Sequence, residues 1–314
     1  MNKLIYRFFI LIILVYFGFL ILINSQAVLS SVSFSFKIWQ DSIFPSLFPF
    51  FVLSELLIDF GFIELLSKLS KPLMKLFKIN SNAGFVFFMS LISGFPSSAK
   101  YTKELYLNGY LNELEATKIL TFSHFSNPLF ILGSVSILFL KNKEVGLLIL
   151  FCHYFTNFII ALIFRNFYIS NYNNLVIIKN NNTTSIGKSI NKAIKSSLET
   201  LFLILGTITT FLVITTVLNK TFNFNPIVKS ILNGTIEMTQ GLNYVSILSI
   251  PLKIKCILTV MILSFGGFSV HMQILSILSD TKIKYLPFLT ARLLHSGISG
   301  IMVFILFDIW IKLI

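Results

Sequence analysis

Ser93-Gly94-Phe95-Pro96-Ser97-Ser98-Ala99-Lys100 ends an apolar piece, residues 83–95, that is too short to cross a bilayer. A spanning helix needs roughly 20 mostly apolar residues, with about 17 at the low end. Glycine and proline together break a helix and free its backbone groups. Within a membrane such groups are tolerated only where protein encloses them or they line a cavity. The stretch therefore predicts a re-entrant hairpin: residues 83–126 enter the membrane, break at 94–98, and return on the same side.

The composition around it sets the same environment. Of 314 residues, 55% are hydrophobic and 12% charged, and 35 are phenylalanine. Soluble domains carry about 25% charged residues. Long runs lack Asp, Glu, Lys and Arg altogether: 8–36, 119–140, 145–164, 200–219, 256–279 and 293–307. The chain reads as an all-α, polytopic integral membrane protein whose first partner is the lipid bilayer. The net charge of +13 sits in short connections between apolar runs, as topology signals do. No basic stripe with interleaved aromatics supports nucleic-acid binding. Cys152 and Cys256 lie inside apolar runs and read as inert thiols.

Lys3 and Arg7 precede a first apolar run. Ser25-Gln26-Ala27 loosely resembles a cleavage site, but the run is long for a signal peptide, and a retained helix is expected. The organisation predicted is an N-terminal transmembrane helix and loop (1–40), a first repeat with its hairpin broken at 94–98 (41–166), a polar Asn-rich cytoplasmic linker (167–196), and a second repeat with a hairpin broken at 265–269 (197–314). Lys68, Lys71, Lys75 and Lys78, and the basic residues of 165–195, should share the cytoplasmic face. That holds only if 83–126 returns to the side it entered from.

Laying residues 94–126 on 267–299 matches Gly94/Gly267, Phe95/Phe268, Leu105/Leu278, Thr117/Thr290, Leu120/Leu293, Ser123/Ser296 and Ser126/Ser299. An odd number of crossings between the two units would invert one relative to the other. Inverted repeats with paired interrupted helices point to a secondary transporter whose site lies near the midplane.

No phosphate-binding loop, zinc-protease motif or nucleophile elbow is present, so neither an enzyme nor a cofactor is expected. His124, His153, His271 and His295 stand at spacings that define no metal site. Polar groups inside the membrane are functional candidates by default. In the first unit these are Ser93, Gly94, Pro96, Ser97, Ser98 and Lys100 at the break, then Ser123, Ser126 and Asn127. In the second they are Glu237, then Gly266, Gly267, Ser269, His271 and Gln273 at the break, and Arg292 and Ser296 beyond it. Helices restarting after a break offer unpaired N–H groups, a ready anion site. Lys100 and Arg292 would add positive charge, with Arg292 gripping a carboxylate. The expected ligand is a small anion.

Leu47-Phe48-Pro49-Phe50-Phe51-Val52-Leu53-Ser54-Glu55-Leu56-Leu57, the 93–100 break and Phe122-Ser123-His124-Phe125-Ser126-Asn127-Pro128-Leu129-Phe130 together resemble the sporulation integral membrane protein family of endospore formers. Ile236-Glu237-Met238-Thr239-Gln240-Gly241 and Phe265-Gly266-Gly267-Phe268-Ser269-Val270-His271-Met272-Gln273 fit its second half. The resemblance implies a nucleoside-recognition gate domain, an architecture similar to concentrative nucleoside transporters, and movement of dipicolinic acid across the mother-cell-derived outer forespore membrane. The hairpin tips lack the carboxylate and amide sets that nucleoside carriers use, which argues against a nucleoside-type solute carrier. The other alternative is a non-transporting sporulation scaffold or assembly protein. A coupling ion (H+ or Na+) and a homo-oligomer are both open.

Overall fold

The computed structural model of the chain describes residues 3–167 and 185–313, and these are helical with no strand. Six helical segments among them are long and apolar enough to cross a membrane, as the composition requires. Helix α1 (Lys3–Ile23) has none of its apolar window buried against the rest of the protein, which suits a helix surrounded by lipid. A loop was expected next. Instead α2 (Ser25–Ile38) runs through a π-helical turn (Trp39–Ile43) into α3 (Phe44–Asp59). Pro45 and Pro49 lack the N–H that a regular helix needs, and the π turn just before them widens the ladder. Gly61 takes a left-handed conformation (φ 77°) and ends the run. The basic amphipathic α4 (Phe62–Leu76) follows.

The first hairpin is α5 (Ala83–Ser93) and α6 (Ser97–Leu107). Then α7 (Glu113–Phe122), opened by an Asn112/Glu115 capping box, unwinds over residues 123–127 and resumes into a π-helical segment, Phe130–Phe139. Helix α8 (Lys143–Ile163) completes this half.

The same order of elements returns in the second half. Helix α9 (Ile186–Thr221) packs along α2 and α3, as Trp39 Nε1 donates to the Leu201 carbonyl at 3.0 Å and Ser35 meets Thr209 at 2.7 Å. A hairpin of α10 (Pro226–Ile236) and α11 (Met238–Ile247) comes next, then an interrupted helix, α12 (Leu252–Phe265) and α13 (Gly267–Leu278), and last α14 (Leu286–Leu313). Hairpin, interrupted helix, long helix is the sequence of elements in both halves.

The pairing differs from the one that residue identities suggested. The break at 265–269 interrupts a single 27-residue apolar segment, Leu252–Leu278, and is not a hairpin tip. The second hairpin is α10–α11, where glycine allows the two arms to touch. A Cβ on Gly241 would stand 2.1 Å from the Gly234 Cα. Glu237, at this tip, is therefore the counterpart of Gly94–Pro96, and Gly266 the counterpart of residues 123–127. The linker expected over 167–196 is also shorter at its end, since α9 begins at Ile186; residues 168–184 of it lie outside the described residues. The extended helix places Lys192 2.7 Å from Asp59.

The exposed Lys75 of α4 and Gly187 of α9 should lie on one side of the membrane. Single cysteines at both positions are expected to react with an impermeant maleimide from the cytoplasmic face only. Labelling from opposite faces would refute the returning hairpin.

Candidate functional site

The two hairpin tips and parts of both interrupted helices meet around one cavity. Phe95 comes from the first hairpin tip, and Ser126, Asn127 and Phe130 from the unwound stretch after α7. The second tip supplies Glu237, Met238 and Thr239, and α13 supplies Val270 and Gln273. Ile43, Ser46 and Leu47 at the start of α3 close one wall, and Ile204 and Ile208 of α9 close another. The cavity volume is about 50 Å³, room for a few waters.

Each interruption leaves backbone groups that lipid cannot satisfy, and the neighbouring helices answer them. Asn127 spans two breaks. Its side-chain oxygen accepts from Leu129 N at 2.7 Å and Phe130 N at 3.3 Å, and its amide donates to the Ile92 carbonyl at 3.0 Å at the end of α5. Gly94 lies directly on it, since a Cβ there would be 2.5 Å from Asn127 N. In the same manner a Cβ on Gly267 would be 2.9 Å from Met238 N, so each interrupted helix packs backbone to backbone against a hairpin tip. The Glu237 carboxylate caps α11 through Gln240 N at 2.8 Å and accepts from Thr239 and from Ser269 at 3.5 Å. That helix N-terminus is thus already capped by a carboxyl group of the chain's own.

Helix α8 supports the unwound stretch with three side chains in one turn. His153 Nε2 accepts the Ser126 N–H at 2.9 Å. The Tyr154 hydroxyl is 2.6 Å from the Leu91 carbonyl and 3.0 Å from that of Ser126. Asn157 donates to the His124 carbonyl at 2.9 Å. Because His153 Nε2 is the acceptor, its Nδ1 carries the proton and reaches Ser264 at 3.0 Å, beside the second break. Ser299 also bonds Ser264, at 2.9 Å. One histidine on α8 thereby joins both interrupted helices.

Arg292 of α14 completes the support, although the sequence points to it as a ligand contact. It is wholly buried and does not line the cavity. Its guanidinium donates to the carbonyls of Thr121 and His124 (3.2 Å), to Asn157 Oδ1 (3.1 Å) and to His295 Nδ1 (2.7 Å). Thr121 lies in the last turn of α7 and His124 just past its end, so the cation sits where a helix dipole is negative. His295 in turn donates from Nε2 to the His153 carbonyl at 2.8 Å. The histidines that look scattered in the sequence are packed together here, His153 and His295 with ring centroids 4.7 Å apart.

The other predicted residues divide between cavity and frame. Ser126, Asn127, Glu237 and Gln273 line the cavity, with Ser269 just behind Glu237. Lys100 does not reach it: it pairs with Glu55 at 2.7 Å. Ser93 bonds Ser97 at 2.8 Å and receives Tyr101, while Pro96 heads α6. Ser98 and Ser123 are buried, and Ser296 donates to the Met261 carbonyl at 2.9 Å. Gly266 takes φ 89° against His124, and His271 bonds the Phe265 carbonyl and Tyr285. The sequence reading held that the tips lack the carboxylate and amide sets of nucleoside carriers. The fold gathers Glu237, Asn127 and Gln273, which lie far apart in the chain, around one space. Tyr154 and Asn157 were missed, and their signal was available: polar side chains within one turn of an otherwise apolar helix.

No family model matches the chain, and no solved structure matches it. A curated relative does. The chain is 32% identical over 319 residues to the sporulation integral membrane protein YlbJ of Bacillus subtilis (strain 168), an alignment covering 90% of this chain and 78% of the relative. With that extent of identity, and with helices that cross a membrane, the chain belongs to the family of the sporulation integral membrane protein YlbJ.

Proposed function

We propose that the protein is a secondary carrier of a small solute, with dipicolinate as the first candidate, acting in the outer forespore membrane without a cofactor or covalent step. The observation that carries this reading is the convergence of two hairpin tips and two interrupted helices on one cavity. Paired interruptions in two halves of a membrane protein are the pattern of a midplane binding site. Broken backbone has no structural merit in lipid unless it serves such a space. Walls that carry Phe95 and Phe130 beside polar groups suit a flat aromatic solute, whose carboxylates would meet the Gln273 amide and the unpartnered Ser126 hydroxyl.

One observation favours a second reading. Glu237 lines the cavity and no Lys or Arg does, a balance that suits a neutral polar solute of nucleoside type. Proteoliposomes holding only this protein decide between them. Uptake of labelled dipicolinate, resisted by excess unlabelled dipicolinate but not by uridine, is the expected result. Uridine uptake would select the second reading. Flux of neither would leave the protein a membrane component of sporulation that carries no solute. A coupling proton or sodium ion is identified in the same vesicles by imposing each gradient in turn.

A further inference from the structure

Four histidines lie near the interruptions, and three are fully engaged. His153 uses both ring nitrogens, toward Ser126 N and Ser264. His271 uses both, toward the Phe265 carbonyl and Tyr285. His295 uses both, toward Arg292 and the His153 carbonyl. His124 is wholly buried, and neither of its nitrogens has a hydrogen-bond partner. A buried polar group without a partner forfeits its hydration for nothing, and native proteins keep few of them.

Its position explains why this one is kept. His124 belongs to the unwound stretch, two residues before the cavity-lining Ser126. Its ring stacks on Phe95, centroids 4.8 Å apart and planes 14° from parallel, and Phe95 itself lines the cavity. On its far side the ring meets the edge of Phe288 at 5.0 Å. Its Nε2 lies 3.4 Å from where a Cβ on Gly266 would stand, and Val270, another cavity residue, borders the same point. The imidazole therefore sits where the first hairpin tip meets both interrupted helices, one ring's thickness from the space.

We propose that His124 is a ligand contact of the cavity, screened by Phe95 in this conformation, and that its N–H donates to a carboxylate of the solute once Phe95 moves aside. The inference rests on the carrier reading above and adds to it a residue and a moving part. A neutral imidazole carries one N–H donor, and a hydrogen bond from it to a carboxylate is charge-assisted. The cavity, with about 50 Å³ free, gains both volume and a donor by the same displacement. The groups that face His124 from the packed elements are Arg292 of α14, His153 of α8 and His271 of α13. All three are already bonded within the protein, which leaves His124 as the ring able to answer a ligand.

His124→Phe separates this role from a structural one. Phenylalanine keeps the stack on Phe95 and removes both unpartnered nitrogens at the cost of one more ring atom, so the thermal midpoint of the purified protein should change little. Dipicolinate uptake should fall tenfold or more at low concentration, with the half-saturation concentration raised. As a comparison, His153→Phe should lower the midpoint, because it strips Ser126 N and Ser264 of partners. Uptake by His124→Phe equal to that of the wild type would overturn the assignment while leaving the carrier reading intact. A midpoint falling as far as in His153→Phe would also overturn it, by showing that His124 holds the frame. If the wild type carries no dipicolinate, the dipicolinate reading itself fails and this assignment falls with it.

Discussion

Gly94→Ala is expected to yield almost no active protein. The glycine has φ 76° and ψ −175°, a region that is essentially closed to residues with a Cβ. The new methyl would also stand 2.5 Å from Asn127 N, 2.8 Å from Asn127 Cβ and 2.9 Å from Asn127 Cα. Those atoms are backbone or fixed by it, and the Asn127 side chain is bonded at both ends, so neither partner can yield. Backbone strain of about 1–3 kcal/mol joins an overpacking cost of about 1–3 kcal/mol, against a total stability of only about 5–15 kcal/mol. Extracts should show an aggregated or degraded product, and uptake normalised to inserted protein should drop at least tenfold. Gly206→Ala in α9 is the control, since nothing lies within 4 Å of its added Cβ and alanine favours a helix. Full uptake by Gly94→Ala would mean that the tip and the interrupted helix are not held in contact.

Arg292→Gln should produce the second large effect, and its kind is the point. If Arg292 gripped the solute, the loss would appear as weaker half-saturation in a stable protein. The structure instead sets its guanidinium on the carbonyls that end α7. Removing it leaves several buried acceptors short of a donor, at about 1–3 kcal/mol each, partly relieved because Asn157 still serves the His124 carbonyl. A loss of about 2–4 kcal/mol is expected, seen as a lower thermal midpoint and less inserted protein. The molecules that do fold should keep their half-saturation concentration. Lysine should recover little, since one ammonium cannot reproduce a fork that reaches Thr121, His124, Asn157 and His295 together. A tenfold shift in half-saturation with an unchanged midpoint would return Arg292 to the ligand.

The sequence discloses some interruptions better than others, for physical reasons. Gly94-Phe95-Pro96 and Gly266-Gly267 are legible because these residues alone tolerate, or force, a broken ladder. The unwound stretch at 123–127 shows only its end, Asn127, with Pro128 opening the next helix. Glu237 gives no such sign: a glutamate between Ile236 and Met238 breaks the helix by capping the next one, and capping depends on what the side chain meets. Matching glycine with glycine therefore paired the first hairpin with an interrupted helix. In the fold the partner of a glycine turn is a glutamate cap. The charges were misleading in a related way. Lys100 and Arg292 stand in apolar sequence as a binding cation would, but Glu55 and the end of α7 are satisfied by them, and neither partner is near in sequence.

The support of the unwound stretch also fixes the order in which the molecule can be completed. Thr121 and His124 are synthesised well before α8 brings Asn157 and His153, and long before α14 brings Arg292, which lies 171 residues beyond Thr121. During translation, residues 113–139 emerge with no partner for a gap in their backbone ladder. A nascent segment in that situation keeps what it can of its own groups paired by staying helical up to Pro128, which has no N–H for the ladder. The full opening over 123–127 is then expected only when α8 and α14 arrive to hold it. Chains halted between α8 and α14 should accordingly retain a straight α7, with the cavity not yet formed, and they should be recognised by the cell's quality control as unfinished.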